Sequence, residues 1–185
     1  MTKDEIRASM KLQRKGLSKE YIKSASDLIS KRILTLDELK NAETIMVFLS
    51  SFNEPRTDLI ISELLAQKKK IVVPVNDTIT HTITPSYLDT LYDTSCGAYN
   101  IREPKELRIA QTTDIDIALI PALALSRYGN RIGFGMGYYD RFLSDFNGLK
   151  IGVCYDFQIF DTLPHNPHDV KMDLIITEKR IYNDF

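Results

Sequence analysis

The chain has 185 residues, of which 43% are hydrophobic and 26% charged, with a net charge of −1. That is one globular domain's worth of core, and it excludes a disordered chain. No apolar run approaches the ~20 residues that span a bilayer, and the charged opening MTKDEIRASM does not resemble a secretion signal.

In chain order, residues 2–15 and 18–36 read as a helical pair broken at Gly16, with Ser18 as the second N-cap. In the first helix Ile6, Met10, Gln13 and Leu17 form one stripe. Lys3, Arg7, Lys11 and Arg14/Lys15 form another at i, i+4, i+8 and i+11/12. Residues 1–36 hold nine Lys or Arg against four acids, a surplus of five on an otherwise acidic chain. Such a segment is either a solvated helix face or a surface for a phosphate-bearing partner.

TIMVFLS (44–50) reads as a buried strand, DLIISELLAQ (58–67) as a helix capped by Thr57 or Asp58, and KIVVPV (70–75) as a second strand. THTITPSYL (80–88) alternates as an edge strand that Pro85 would end, and 89–113 is polar and irregular. DIALIPALAL (116–125) reads as a buried strand leading into a glycine loop, and 138–146 as a helix. KIGVCY (150–155) and DLIITE (173–178) are further buried strands, with KRIY (179–182) extending or pairing with the last. Helices alternating with strands apolar on both faces imply an α/β three-layer sandwich, with a mostly parallel, Rossmann-like central sheet and an N-terminal helical pair. No linker divides residues 1–185.

Cys96 and Cys154 have no partner at metal-ligand spacing, so neither a zinc site nor a disulfide framework is expected. His165 and His168 stand at i, i+3, but Pro164 and Pro167 forbid the helix that would pair them. His81 reads as structural.

The densest chemistry lies in RYGNRIGFGMGYYDRF (127–142). Gly133, Gly135 and Gly137 follow a strand and open a helix, where backbone N–H groups and the helix dipole favour anions. The spacing GxGxG is neither a Walker A loop nor GxGxxG. On spacing alone an anion site and a simple turn both remain open. Arg131 and Arg141 flank the loop with positive charge. Asp140, just inside the helix, can complement the dipole or hold Mg²⁺ against phosphate oxygens.

The run IPALALSRYGNRIGFGMGYYDRFL, with PHDVKMDLIITE near the C-terminus, resembles the signature of the 5-formyltetrahydrofolate cyclo-ligase (5,10-methenyltetrahydrofolate synthetase) family. KDEIRASMKLQRKGLS and FLSSFNEPRTDLII are similar to two further family stretches in the same order. Pro121-Ala122, Ser126 and Met136 depart from the family's usual residues.

The resemblance implies ATP-dependent closure of 5-formyltetrahydrofolate to 5,10-methenyltetrahydrofolate, with ADP and phosphate released. It implies that Lys3, Arg7 and the stretch Arg131, Ile132, Gly133, Phe134, Gly135, Met136, Gly137, Tyr138 and Tyr139 hold ATP. Leu49, Glu54, Phe134, Met136 and Tyr138 would meet the folate, and Arg131, Tyr138 and Asp140 would serve catalysis. Asp140 and Asp173 would hold Mg²⁺. Asp173 precedes its strand while the glycine loop follows its own. The two meet only if those strands are antiparallel or if residues 164–172 fold back over the sheet edge.

A cytoplasmic monomer using only small molecules is expected, with neither nucleic acid nor membrane as partner. A phosphate-binding α/β enzyme of sugar-phosphate isomerase type is the alternative, and would need no ATP. A nucleic-acid module on the basic helix is disfavoured by the net charge and by Tyr21 being the one aromatic in that stretch.

Overall fold

The computed structural model describes residues 1–183. Helix α1 (Lys3–Lys15) starts at a capping box, in which the Thr2 hydroxyl accepts from the Glu5 N–H and the Glu5 carboxylate accepts from the Thr2 N–H. Asp4 and Glu5 in its first turn, and Arg14 and Lys15 in its last, match the helix dipole. Helix α2 (Lys19–Leu34) starts where expected, the Ser18 hydroxyl accepting from the Tyr21 N–H. A five-residue helix, α3 (Asp37–Asn41), lies where no element was expected. It is too short to show a helical period.

Strand β1 (Thr44–Val47) and helix α4 (Asp58–Ala66) follow. Thr57 is the N-cap residue of α4, but its hydroxyl donates instead to the Phe48 carbonyl at 2.6 Å. That bond ties the helix start to the chain leaving β1. Strands β2 (Lys70–Asp77) and β3 (Thr82–Leu88) form an antiparallel hairpin. Pro85 sits inside β3 opposite Pro74 and does not end it. An edge strand tolerates a residue with no N–H to donate. The polar segment contains a small hairpin, β4 (Thr94–Cys96) with β5 (Arg102–Pro104).

The apolar run 116–125 is two strands. β6 (Ile117–Pro121) lies in the main sheet, and β7 (Ala124–Ser126) leaves it to pair with β8 (Arg131–Ile132) and, further on, β10 (Ile159–Phe160). Pro121 cannot donate to a ladder. The buried Gln158 amide donates to the carbonyls of Ala122 and Leu123 at 3.0 and 2.7 Å, which satisfies the backbone where it departs. After β8 come α5 (Tyr138–Leu143), β9 (Leu149–Val153), β11 (Leu174–Ile176) and β12 (Ile181–Tyr182). Helix α5 is shorter than expected, and β12 pairs antiparallel with β11 rather than extending it.

The main sheet has seven strands in the order β12-β11-β9-β6-β1-β2-β3. The five inner strands are parallel, and both edges are antiparallel. Alternate residues serve alternate faces. Ile45, Val47, Leu119 and Val153 pack with Ile29, Ile33, Ile60 and Leu64 of α2 and α4. Met46, Ala118, Ile120 and Ile175 pack with Phe142 and Leu143 of α5. The result is the α/β three-layer arrangement with a mostly parallel sheet.

From its centre the chain runs outward in both directions, β1 to β2 on one side and β6 through β9 to β11 on the other. The topological switch therefore lies between β1 and β6. In such sheets the crevice beyond the carboxyl ends of these two strands is where ligands bind.

Candidate active site

A cavity of about 1020 Å³ opens at that switch point. Residues leaving β1 (Leu49, Glu54), the end of β6 (Pro121), one face of α1 and the glycine loop line it. Every residue assigned above to ATP or folate borders this one cavity, as does Asp140.

One end is basic. Lys3, Arg7 and Lys11 line the cavity from a single face of α1. Lys3 is ion-paired with Asp169, whose carboxylate also accepts from the Asn166 N–H at 2.7 Å. Burial pushes the Asp169 carboxyl upward, but Lys3 and the Asn166 N–H outweigh it and hold the group below the ordinary carboxylate range. Arg7 Nε donates to the Gly133 carbonyl at 3.0 Å, which fixes α1 against the glycine loop.

Gly135 and Gly137 are required by conformation. Gly137, the residue before α5, has φ +72°, and a Cβ there would lie 2.8 Å from Arg141 Nη1. Gly135 has φ +108°.

Arg131 was expected to flank the glycine loop as part of a loop. It lies instead in β8, 7% exposed. Its Nη2 donates to Asp140 Oδ1 at 3.0 Å, and its guanidinium sits 5.4 Å from the Tyr139 ring centre. The Arg131 Nε has no acceptor among the described residues. Burial raises the Tyr139 hydroxyl well above its ordinary pKa, so it stays neutral.

The other end is aromatic and carries one buried acid. Phe134 and Met136 are exposed on the loop, and the Phe52 and Phe134 ring centres stand 6.3 Å apart. Glu54 is buried, with Oε2 accepting from the Ser51 N–H at 2.9 Å. Desolvation raises its carboxyl above the ordinary range, against the opposing Arg14 charge and Ser51 hydrogen bonds. The Tyr138 hydroxyl meets that of Tyr99 at 3.1 Å and His81 Nδ1 at 3.3 Å. His81 and the tip of the β4–β5 hairpin thus reach the mouth of the site.

Asp173 does not join Asp140. Strands β9 and β11 are parallel, with Leu174 opposite Ile151, so the residue before β11 lies at the N-terminal ends of the parallel strands, away from the cavity at their carboxyl ends. Its carboxylate accepts from the Lys150 N–H at 2.8 Å and pairs with Lys150 Nζ at 2.9 Å. The assignment of Asp173 to the metal is corrected by this register. The second carboxylate at the basic end is Asp169, four residues earlier on the loop that does reach the cavity.

Sequence reasoning put Arg14 on the basic stripe with Lys3, Arg7 and Lys11, whereas the structure buries it with Ile6 and Met10 and leaves Gln13 exposed; its place four residues after Met10 was the signal. For Tyr99, in a segment without periodicity, there was no signal. Among the described residues no three His, Cys, Asp or Glu side chains cluster as a metal cage. No helix there is long and apolar enough to cross a membrane.

Known proteins share this fold. The solved structure of 5,10-methenyltetrahydrofolate synthetase from Aquifex aeolicus superposes with a TM-score of 0.88 at 30% identity, covering 99% of this chain and 93% of that one. That of a 5,10-methenyltetrahydrofolate synthetase from Mycoplasma pneumoniae gives 0.79 at 27% identity, covering 96% and 99%. A probable 5-formyltetrahydrofolate cyclo-ligase of Caenorhabditis elegans is 30% identical over 95% of this chain and 92% of its own length. The model of the 5-formyltetrahydrofolate cyclo-ligase family matches residues 1–178. With that match spanning both the basic helix and the glycine loop, the chain belongs to the 5-formyltetrahydrofolate cyclo-ligase family.

Proposed function

We propose that the cavity holds MgATP at its basic end and 5-formyltetrahydrofolate at its aromatic end, and closes the folate to 5,10-methenyltetrahydrofolate. The observation that carries this reading is the single cavity in which Lys3, Arg7, the glycine loop and Glu54 meet. The enzyme is an ATP-dependent cyclo-ligase. Family membership sets aside an isomerase-like activity that uses no ATP. We place the reaction in a cytoplasmic monomer.

The N5-formyl oxygen is an amide oxygen and leaves poorly. Transfer of the γ-phosphoryl group to that oxygen makes it a phosphate leaving group. N10 then attacks the formyl carbon and loses its proton, and the C–O bond breaks to release inorganic phosphate. Such a transfer asks the protein for positioning and charge neutralisation.

Lys3 and Arg7 supply positive charge from α1, and the Gly133–Gly137 backbone lets phosphate oxygens approach without Cβ atoms in the way. Arg131 neutralises charge at the reacting oxygens and orients Asp140. Tyr138, fixed between Tyr99 and His81, borders both substrates. Glu54 accepts N–H donors of the pterin, with Leu49, Phe134 and Met136 around the ring.

The donor set suits Mg²⁺ shared with a nucleotide. Asp140 and Asp169 offer hard oxygen ligands without a protein cage, and Mg²⁺ commonly completes such a site with water and phosphate. When bound there it neutralises phosphate charge.

Mixing the protein with 5-formyltetrahydrofolate and MgATP should generate the near-ultraviolet absorbance of the methenyl product. Folded protein that gives no signal, or gives it without ATP, would overturn the reading.

A further inference from the structure

The buried stripe of α1 ends on a charge. Arg14 follows Ile6 and Met10 at i+4 steps and is 2% exposed. Its guanidinium lies 5.7 Å from the Phe134 ring centre. Its Nε donates to the Phe52 carbonyl at 3.2 Å, and its Nη2 donates to the carbonyls of Phe52 and Ser51. The Asn53 amide returns a hydrogen bond to the Arg14 carbonyl at 2.9 Å.

The turn so gripped is strained. Phe52 and Asn53 are both left-handed, at φ 47° and 56°, a conformation that non-glycine residues keep only when surroundings impose it. Glu54 comes next. Its Oε1 lies 3.8 Å from Arg14 Nη2, too long for a hydrogen bond but close for two buried opposite charges.

A hydrophobe would fill this position without desolvating a cation. An apolar side chain could neither hold the Phe52 and Ser51 carbonyls nor face a carboxylate. Arg14 Nη1, moreover, has no acceptor among the described residues, although Arg14 lines the cavity. A side chain serving only the core would not leave a donor so exposed to loss.

We infer that Arg14 is a positioning residue of the folate end, locking the Ser51–Glu54 turn from beneath and supplying the counter-charge to Glu54. The inference rests on the reading that Glu54 accepts the pterin's N–H groups. Burial pushes the Glu54 carboxyl up and Arg14 pulls it down. Glu54 also acts on the hydroxyls of Tyr139 of α5 and Tyr155 after β9. Burial raises both hydroxyls, that of Tyr155 to about 12, so both are neutral near pH 7. Among the described residues Arg14 is the cation paired with Glu54, and its charge opposes the effect of burial on that carboxyl. Without it Glu54 protonates at higher pH and stops accepting those donors.

The test is the pH profile of kcat/KM for 5-formyltetrahydrofolate in Arg14→Met and Arg14→Lys, with KM for ATP and circular dichroism measured alongside. Loss of a facing charge should move the acid limb of Arg14→Met upward by about one pH unit or more, a roughly tenfold loss on that limb. ATP KM should stay within about twofold of wild type, since among the described residues the Arg14 guanidinium donates to the Phe52 and Ser51 carbonyls of the folate end. Arg14→Lys keeps the charge but not the two-carbonyl grip. Its acid limb should return toward wild type while folate KM stays raised. An equal loss at every pH in Arg14→Met, or a wild-type folate KM in Arg14→Lys, overturns the inference. Should Arg14→Met not fold, the Lys variant decides alone. Glu54→Gln separates the two levels. If it leaves folate KM unchanged, the folate reading of Glu54 fails and the role of Arg14 falls with it. If it raises folate KM while the acid limb of Arg14→Met stays put, only the role of Arg14 fails.

Discussion

Lys3 of the first helix and Asp169 of the loop before the last central strand form an ion pair across 166 residues of chain, at the rim of the cavity. The pair joins the N-terminal helix to the far side of the sheet and presents a cation and a carboxylate together where phosphates are expected. Replacing either group unbalances the other. Lys3→Ala should raise the KM for ATP about tenfold, the effect of losing one charged phosphate contact. Folate KM should change little, and steady-state kinetics with each substrate varied in turn checks the split.

The same carboxylate makes a pH prediction. Asp169 titrates below its ordinary value in the folded protein, so it binds fewer protons folded than unfolded at mildly acidic pH. Its contribution to stability is therefore full above the unfolded pKa of about 3.9 and fades as pH falls through the folded value. Asp169→Asn should flatten the acid side of a plot of Tm against pH and leave its neutral-to-basic shape unchanged. Thermal melts across the acid range decide it.

Arg131 is buried with Asp140 as partner, so its removal should act on the fold as well as on catalysis. Arg131→Ala leaves Asp140 without its ion pair and opens a void beneath Tyr139. It should destabilise by about 3 kcal/mol and abolish measurable turnover. Arg131→Lys should recover more stability than activity, because a lysine cannot reach Asp140 and the Pro121 carbonyl as a fork. Denaturant melts paired with activity assays separate the two effects.

Asp173 and Asp140 should part company in mutants. Asp173 is tied to Lys150 at the N-terminal ends of the parallel strands, so Asp173→Asn should lower stability by about 1 kcal/mol or less. It should leave the Mg²⁺ dependence of turnover as in wild type. Asp140→Asn should lower turnover and shift the Mg²⁺ requirement upward. A Mg²⁺ titration of both variants checks the contrast.

Gly137 is held at positive φ with the Arg141 guanidinium against the place of a Cβ. Gly137→Ala should destabilise by about 1 kcal/mol or more. It should also raise the ATP KM, because the following helix start is reset. A variant with wild-type Tm and wild-type kinetics would show that the turn relaxes freely.

What could be read from the chain was what repeats at short range. The helix carrying Ile6 and Met10, the Ser18 cap, most of the apolar strands and GxGxGYYD each carry a local period or a fixed spacing, and the structure keeps them as elements, although Arg14 replaces Gln13 on the buried face of α1. What could not be read depends on partners far away in sequence. The break after Pro121 needs Gln158 to satisfy the freed carbonyls, and nothing near residue 121 announces it. Asp169 and Asp173 look alike in HDVKMD. Only the parallel register of β9 and β11 tells which one reaches the cavity. Arg14 belonged by spacing both to a basic face and to the stripe of Ile6 and Met10, and burial under Phe134 decided between them.

The central claim is that ATP's terminal phosphoryl group and the formyl oxygen meet within this one cavity. It is tested most directly by turning over 5-formyltetrahydrofolate labelled with heavy oxygen in the formyl group and analysing the released inorganic phosphate by mass spectrometry. Phosphorylation of the formyl oxygen predicts one labelled oxygen in each phosphate, formed in step with ADP and the methenyl product. Unlabelled phosphate, with the heavy oxygen recovered in water, would contradict it.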